Sequence, residues 1–523
     1  MKRETGESVV ANNASRTTNH APYPALDALL LITLFSLTMH PLVDPDFGWH
    51  LRTGLDLATH GWRMPAADPY SHTVPEWPWV EHAWLTDALI GLIYTGLGPF
   101  GPLAVIILFA AVTASAFLLA SSPARAGRTS RYLAVAIALY TALPFLGVRT
   151  QMITLLGLGA VLWVSRRYLK GQTALLWALP PLFLLWGNLH GGFAAGLFVL
   201  GLVLAAETLK AVIPALLPAP GRNRVAILIQ EPSLTWPRIG WLAAAIAGSA
   251  LATLLNPYGW RLHGEIYASL TDRFMIETLH EWQPLSLDSR AGLAYAVYLS
   301  ALGLGMLAFY RRIEPTRWMV WGVFGVLSVL HWRNIPFFLL VSVSLSAEVL
   351  TACAGRVAAS LGSRHPQHWL LAAALGVSVF AGTVGHGLVR DAALSGLDPA
   401  EYFRHTDYPI EAVVWVRTHP ELVGTRLYND YGLGGFLLWW LPEHKVFIDG
   451  RMPAWRVGDR WIFYDYVALT AWDPPALGVL DKYGVDWAIT ELGSPLDWAL
   501  ARLEGWREIY GDSKVAVYVK QRA

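Results

Sequence analysis

The chain is poor in cysteine and in charged residues, and each shortage excludes a class of protein. A single cysteine, Cys353, cannot form an intrachain disulfide or supply a cluster of thiolate metal ligands. Charged residues make up 15% of the sequence, against about 25% in an ordinary soluble domain. The net charge is +1, and no basic patch is interleaved with aromatic residues, which excludes a nucleic-acid-binding function. Most of the chain is therefore expected to lie in lipid.

Long apolar runs take the place of the missing charge. Hydrophobic residues make up 54% of the chain, and repeated runs are long enough to cross a bilayer as helices. We predict an α-helical polytopic membrane protein with about 11 transmembrane helices. The predicted spans are 25–43, 101–120, 132–148, 150–165, 173–189, 192–210, 239–257, 291–310, 317–332, 335–352 and 368–389.

The distribution of basic residues predicts the orientation of these spans. With the N-terminus in the cytoplasm, arginine and lysine concentrate in the loops on that side, as the positive-inside rule requires. Residues 1–24 are then a cytoplasmic tail, and the loops 44–100 and 258–290 face the extracytoplasmic side. We therefore predict a multi-pass protein of the plasma membrane.

The composition changes from membrane to soluble character near residue 390. The transmembrane domain is therefore predicted to cover 25–389. Short strands are predicted at 426–428, 445–448 and 485–490, and a hairpin at 507–519 around Gly511 and Asp512. Together with a predicted helix at 409–419, they indicate a small extracytoplasmic α/β domain over 390–523.

Ionisable residues concentrate in the first outer loop, 44–100. Asp44 and Asp46 follow the first span, and the sequence predicts a helix starting after Asp46, for which that residue could be the N-cap. The segment 80–98 is apolar, but Glu81, His82 and Asp87 at its start favour an amphipathic helix lying at the membrane interface. Trp49, Trp77, Trp79 and Trp84 are typical of an interfacial aromatic belt, and stacking on a sugar is the alternative. In the second outer loop, 258–290, the sequence predicts one amphipathic helix followed by a turn.

The short outer turns carry polar residues at the membrane boundary. Helix ends that cap or snorkel there explain any one of them, but several on one face favour a shared polar cavity that opens outward. The residues that we expect to bind substrate are His50, Glu81 and His82 of the loop, with Arg149, Asn188, His190, Arg333 and Asn334 of the turns.

These residue types suit sugar transfer from a lipid phosphate. Such a reaction needs a base for the acceptor and positive charge on the departing phosphate. Asp46 and Asp44 can supply the base or ligate a metal, and an oxygen-rich set that includes Asp46 and Glu81 favours magnesium or manganese over structural zinc. For His50 a packed interface histidine is the alternative, and for Arg333 a snorkelling anchor.

The sequence DPDFGWHLRTG at 44–54 resembles the first outer loop of GT-C fold glycosyltransferases, which include protein O-mannosyltransferases, aminoarabinose transferases and oligosaccharyltransferase catalytic subunits. The turns NLHGG, NPYG and RNIP resemble a group of bacterial membrane proteins of unestablished activity. The resemblance implies that Asp46 is the catalytic acidic residue with Asp44 as its neighbour, and that Arg333 holds the donor phosphate.

A tail motif shares this resemblance. It contains NDYG at 429–432 and FIDGR at 447–451, with Asn429, Asp430, Asp449 and Arg451 as its polar residues. It is similar to the acceptor-recognising WWDYG of oligosaccharyltransferases, but no tryptophan pair precedes Asp430.

The sequence is thus compatible with three functions. The first is transfer of a sugar from a polyprenyl-phosphate donor to a glycan, lipid or protein acceptor outside the cytoplasm. The second is a transporter or flippase for a lipid or saccharide, since charged groups at helix ends also line substrate paths. The third is a non-catalytic protein of envelope polysaccharide assembly.

Overall fold

Helices dominate the chain, which is known here from a computed structural model that describes residues 24–217, 233–362, 366–471 and 477–521. The predicted tail 1–24 lies outside these residues except for Pro24. The described α-helices are Pro24–Ser36 (α1), Phe47–Thr59 (α2), Trp84–Gly96 (α3), Gly101–Ser121 (α4), Arg128–Ala142 (α5), Gln151–Leu169 (α6), Leu179–Leu189 (α7), Phe193–Leu216 (α8), Trp236–Ala252 (α9), Trp260–Thr271 (α10), Arg273–Thr278 (α11), Arg290–Ala308 (α12), Pro315–Leu330 (α13), Ile335–Ser360 (α14), Pro366–Leu397 (α15), Pro399–Arg404 (α16), Ile410–Thr418 (α17), Gly434–Trp440 (α18), Ile462–Thr470 (α19), Gly478–Lys482 (α20) and Pro495–Leu500 (α21).

Each predicted span coincides with a described helix. The predicted number of about 11 membrane-spanning helices is not confirmed. Helix α1 has 13 residues and α5 has 15, fewer than the roughly 20 that a bilayer requires. In the first of these, the hydroxyls of Ser36 and Thr38 bond to the backbone and the helix ends within the apolar run. Six described segments are long and apolar enough to span: Gly98–Ser121, Gln151–Leu169, Phe193–Pro214, Arg290–Ala308, Trp332–Ser360 and Trp369–Leu397.

The apolar faces of these helices form one extended core. Close helix packing depends on small residues, as where Gly157 of α6 lies against the ring of Trp186. A Cβ at Gly157 would come within 2.5 Å of that ring. The described residues therefore form a helical bundle whose longest helices, six of them long and apolar enough to cross a membrane, pack side by side.

A small sheet follows the helical bundle. Its strands are β1 (Leu427–Asn429), β4 (Trp487–Glu491), β5 (Trp506–Gly511) and β6 (Val515–Lys520), in the order β1-β4-β6-β5. The pair β2 (Arg456–Val457) and β3 (Arg460–Trp461) forms a separate ribbon. Strand β1 runs parallel to β4, and β6 pairs antiparallel with β4 and β5. The predicted hairpin around Gly511 and Asp512, two of the predicted strands and the predicted helix at 409–419 are thus confirmed.

Two local predictions were wrong, and one helix is longer than the predicted span. The segment 445–448 is not a strand, because only Val446 forms a bridge, and its partner is Ser71 of the outer loop. Helix α15 runs on to Leu397, so the composition change near 390 falls inside a helix. The second outer loop holds two helices rather than one, because Asp272 interrupts them and caps α11 by accepting from the Met275 amide at 2.8 Å.

The first outer loop packs against the C-terminal region. The Val446 amide donates to Tyr70 O at 3.0 Å, and the His72 amide donates to Val446 O at 3.2 Å. The Thr73 hydroxyl adds a bond to Phe447 O at 2.9 Å. Backbone pairing of this kind fixes the loop against the segment 446–447, so the loop is an ordered part of the fold.

Candidate active site

Asp44 and Asp46 lie directly after the bend that follows α1. Asp44 Oδ1 accepts from the backbone amide of Asp46 at 3.0 Å, and Asp44 Oδ2 lies 2.7 Å from Arg149 Nε. Asp44 is therefore held by an arginine from the predicted outer turn 149–151. The two aspartates have different surroundings, because only Asp44 has a cation as its direct partner.

Asp46 takes the N-cap position of α2 without capping it. Its side chain makes no bond to the helix backbone, and Oδ1 accepts from Trp49 Nε1 at 3.0 Å instead. Burial, and after it the charge of Asp44, raise the pKa of Asp46 to about 6. Such a carboxylate accepts a proton more readily than an ordinary aspartate, as a general base near neutral pH must.

Glycines bring the tail motif against this aspartate. A Cβ on Gly450 would lie 1.9 Å from Asp46 Oδ1, and a Cβ on Gly48 would lie 1.9 Å from the carbonyl oxygen of Gly435. No side chain fits in either place. The glycines of DPDFGW and of the tail motif therefore allow two distant parts of the chain to meet at the candidate base.

His50 links the loop to two other elements. Its Nδ1 lies 2.7 Å from Asp87 Oδ1 at the start of α3, and its Nε2 lies 3.2 Å from the hydroxyl of Thr150. His50 and Asp87 are 3% and 0% exposed. Burial lowers the pKa of His50 to about 3, so the ring is neutral. Both ring nitrogens of this packed histidine thus have polar partners within the protein.

Glu81 lies beside this pair and completes a candidate metal centre. Within the described residues, one oxygen or nitrogen from each of His50, Glu81 and Asp87 lies within 4.8 Å of the others. Burial raises the pKa of the Glu81 and Asp87 carboxyl groups well above the ordinary value. Asp87 Oδ2 is buried and has no hydrogen-bond partner in the described part of the chain. A divalent cation would satisfy that oxygen and neutralise the buried charge. Asp46, which the sequence predicted as a metal ligand together with Glu81, is not a member of the group.

Two more histidines line the same region. The rings of His82 and His190 meet edge to face with centroids 5.3 Å apart. The Gly192 amide donates to His190 Nδ1 at 3.0 Å, and the hydroxyl of Thr154 lies 2.7 Å from the same atom. Burial lowers the pKa of His190 well below the ordinary value. The neutral ring therefore carries its proton on Nε2 and can donate it to a ligand.

Arg333 is held by two residues of the second outer loop. Its Nη1 lies 3.0 Å from Glu281 Oε1, and its guanidinium stacks over the ring of Trp282 at 4.1 Å. Glu281 belongs to the second outer loop, so this loop contributes an acidic residue. Burial, and after it the charges of Asp46 and Glu281, raise the pKa of Tyr431 of the tail motif well above the ordinary value, so both carboxylates act on this tyrosine.

Asn188 and Asn334 are used by the fold itself. Asn188 accepts from Trp84 Nε1 at 3.0 Å and donates to two backbone carbonyls, at Leu184 and Leu255. Asn334 donates to Leu327 O at 3.1 Å. The structure therefore places both at the predicted turns, with their amides bonded to neighbouring protein groups.

The first half of the tail motif also has internal partners. Asn429 donates to the carbonyls of Asp430 and Ile448 and accepts from the Phe447 amide. Asp430 accepts from the Tyr428 hydroxyl at 3.3 Å and from the Glu491 amide at 3.1 Å. Burial raises the pKa of Asp430 to about 6.

Asp449 and Arg451 form a buried ion cluster with Asp68. Arg451 bonds to both oxygens of Asp449 and donates through Nη1 to Asp68 Oδ1 at 2.7 Å. Its guanidinium also lies 5.0 Å from the centroid of the Trp79 ring. The cluster ties the outer loop to the C-terminal region, so Arg451 acts on the site through its support.

Sequence reasoning missed Asp87, Asp68 and Tyr431. The prediction of an interfacial helix at 80–98 removed Asp87 from the site, whereas α3 packs on α2 with Gly54 against the Asp87 carbonyl. The glycines at 54 and 91 were the available signal for that close packing. The predicted tryptophan belt was wrong for Trp49 and Trp79, which are 3% exposed and belong to the protein core.

No protein-family model matches the sequence, and no curated protein matches it. Solved structures do match it in fold. The chain superimposes on the oligosaccharyltransferase of Archaeoglobus fulgidus tethered to an acceptor peptide that contains an NVT sequon. The match covers 95% of this chain and 74% of that one, with a TM-score of 0.54 and 14% identity. The oligosaccharyltransferase AglB of the same organism, in complex with an inhibitory peptide and a dolichol-phosphate, also matches. Its TM-score is 0.53 and its identity 14%, over 96% of this chain and 74% of that one.

ArnT of Cupriavidus metallidurans, bound to undecaprenyl phosphate, matches over nearly its whole length. It covers 94% of this chain and 97% of its own, with a TM-score of 0.50 and 16% identity. The chain has the GT-C fold. The resemblance drawn from the outer-loop motif is thus confirmed at the level of fold, and both neighbours are membrane glycosyltransferases of this GT-C architecture.

Proposed function

We propose that this protein is a membrane glycosyltransferase that moves a sugar from a polyprenyl-phosphate donor to an acceptor on the extracytoplasmic face. The observation that carries the proposal is the setting of Asp46. It is a half-buried carboxyl group with a raised pKa, beside the Asp44–Arg149 pair and close to Tyr431. The GT-C fold and the lipid phosphates bound by AglB and ArnT support the donor class.

Asp46 is the general base of the proposed reaction. The acceptor's hydroxyl or amide attacks the anomeric carbon of the sugar and passes its proton to Asp46, while the bond between that carbon and the phosphate oxygen breaks. The electron pair of this bond leaves with the polyprenyl phosphate. A base placed in this way contributes about 10²–10⁴-fold in rate.

Positive charge for the leaving phosphate comes from Arg149 and Arg333. Their carboxylate partners, Asp44 and Glu281, hold the guanidinium groups in place before substrate arrives. Because a guanidinium offers five donors in a planar fork, a phosphate can bind to one that already has a carboxylate partner. The Nε2 proton of His190 supplies a further neutral donor.

The group of His50, Glu81 and Asp87 is proposed to hold magnesium or manganese. Its carboxylate oxygens and single imidazole fit either ion. When bound, the cation supplies positive charge that neutralises the buried carboxylates and polarises a phosphate oxygen. Thr150 keeps His50 oriented from the other side of its ring.

The acceptor is a glycan, a lipid or a protein, as the sequence left open. The peptide that the archaeal oligosaccharyltransferase carries supports a peptide-like acceptor. The proposed orientation puts the N-terminus in the cytoplasm and the loops 44–100 and 258–290, with the C-terminal region, on the other face.

Asp46→Asn tests the proposed function. Membranes that contain the variant are given labelled polyprenyl-phosphate sugars, and we expect transfer to fall by about 10²-fold or more, with Asp44→Asn giving a smaller loss. Asp407→Asn is the matched control, because Asp407 is an exposed aspartate of the same face. Transfer at the control level in both variants, or movement of the lipid across vesicles without sugar transfer, refutes the enzyme in favour of a flippase or an assembly protein.

A further inference from the structure

A cavity of about 260 Å³ lies at the end of the bundle opposite the candidate active site. Three cations line it, Arg166 and Arg167 in the last turn of α6 and Lys170 just after it, together with Ser122 and Gln172. Thr150, which contacts His50, precedes the other end of α6. A helical rise of about 1.5 Å per residue separates the cavity from the candidate site by roughly 25 Å.

Arg166 is the buried member of this set. It is 9% exposed, and its Nη1 lies 2.6 Å from Glu314 Oε2. Its Nε and Nη2 are buried and have no hydrogen-bond partner among the residues that the structure describes. Buried donors without partners are rare and costly in proteins, so two of them on one arginine beside a cavity indicate a missing acceptor.

The charges around the cavity are mostly positive. Glu314 is shared between Arg166 and Arg125, which lies 3.5 Å from it. The other acidic residue close by, Glu348, is taken up by Arg317 at 2.7 Å. Arg167 and Lys170 therefore add charge that these carboxylates do not balance. Burial, and after it the nearby Arg166 and Arg125, lower the pKa of Lys170.

We propose that this cavity binds a phosphate group, with the headgroup phosphate of an anionic phospholipid as its occupant. Two free N–H groups on one guanidinium match two oxygens of a phosphate, and Lys170 and Arg167 add point charges at the opening. Liquid water takes up about 30 Å³ per molecule, so the cavity holds a phosphate together with part of its glycerol. Its place at the end of the membrane helices is where lipid headgroups lie.

The proposed phosphate site is independent of the proposed glycosyltransferase activity. It uses neither Asp46 nor any other residue of the candidate active site. A protein without sugar transfer can still bind phosphate here, and an active enzyme can lack this site. Failure of one proposal therefore leaves the other standing.

The test measures thermal stability of the full-length protein in nanodiscs. One series contains phosphatidylcholine alone, a second adds increasing phosphatidylglycerol, and a third adds inorganic phosphate to phosphatidylcholine. We expect phosphatidylglycerol to raise the melting temperature in a saturable way. In the double variant Arg167→Ala/Lys170→Ala, the fraction of phosphatidylglycerol that gives half of the stabilisation should rise by about tenfold or more. Each cation removed at a membrane surface is expected to weaken lipid binding by about fivefold.

Arg311→Ala/Arg312→Ala is the matched control. These exposed arginines lie near the same end of the bundle but do not line the cavity. Stabilisation by phosphatidylglycerol alone supports a lipid occupant, and stabilisation by inorganic phosphate as well supports a site for phosphate in general. Equal responses of the two double variants overturn the proposal, as does a wild-type protein that responds to neither anion. Because the changed residues lie at the cavity opening, Arg166 and its pair with Glu314 stay intact in every variant.

Discussion

His50 Nδ1 lies 2.7 Å from Asp87 Oδ1, and this bond joins α2 to α3 in a place closed to solvent. Removing the carboxylate leaves His50 Nδ1 buried without a partner, so we expect Asp87→Ala to lower the free energy of unfolding by about 1–3 kcal/mol. Asp87→Asn keeps a partner for the imidazole and should lose less. The melting temperature in detergent measures both. An alanine variant as stable as the wild type would contradict this account of the pair.

Divalent-cation binding depends on the same group. We expect Mn²⁺ to bind the purified protein, and Glu81→Gln and Asp87→Asn each to weaken it more than tenfold, because each removes a charged ligand. Titration followed by the electron paramagnetic resonance of free Mn²⁺ measures the affinity. Asp407→Asn should bind as the wild type does. Unchanged affinity in both ligand variants would remove the metal centre.

The transfer rate should depend on pH through Asp46. The base acts in its ionised form, and its pKa is raised to about 6, so the rate should rise through that pH and level off above it. Asp44 contributes to the rise in pKa. In Asp44→Asn the acidic limb should therefore move to lower pH. A limb that moves upward would show that the charge of Asp44 does not act on Asp46.

The buried arginine of the tail motif should be far more important for stability than an exposed one. Arg451→Met leaves the carboxylates of Asp449 and Asp68 buried without their cation, and we expect a loss of about 3–5 kcal/mol. Arg460, whose partner Glu76 is exposed, is the matched control. Its replacement by methionine should change stability by less than about 1 kcal/mol. Similar melting temperatures for the two variants would contradict the assignment of Arg451 as a buried support.

Close backbone contact between the first outer loop and α18 predicts a sharp difference between two neighbouring glycines. A Cβ on Gly435 would lie 2.0 Å from Pro45 O, whereas one on Gly432 has open space around it. Gly435→Ala should therefore destabilise the protein by about 1–3 kcal/mol and reduce transfer. Gly432→Ala should be close to wild type in both. Limited proteolysis of the outer loop gives a second measurement, with faster cleavage expected in the first variant alone.

Much of the fold was predictable because its signals are local. A long apolar run forms a helix wherever it is placed in lipid, and each of the eleven predicted segments contains one. The hairpin at β5 and β6 was likewise predictable from alternation around a turn. The number of spans was not predictable, because apolarity alone does not show where a helix ends within an apolar run. Helix α1, for example, ends at Ser36, inside the predicted span 25–43.

The sequence by itself determined a helical membrane protein with an acidic, histidine-rich outer loop and a small sheet after it, since composition and periodicity are properties of neighbouring residues. Only the tertiary structure decided which groups meet. It placed Asp87 with His50, Asp68 with Arg451 and Tyr431 near Asp46. The last two of these pairs join residues more than 380 positions apart. They depend on glycine contacts and strand pairing between distant segments, which leave no trace in the spacing of the residues themselves.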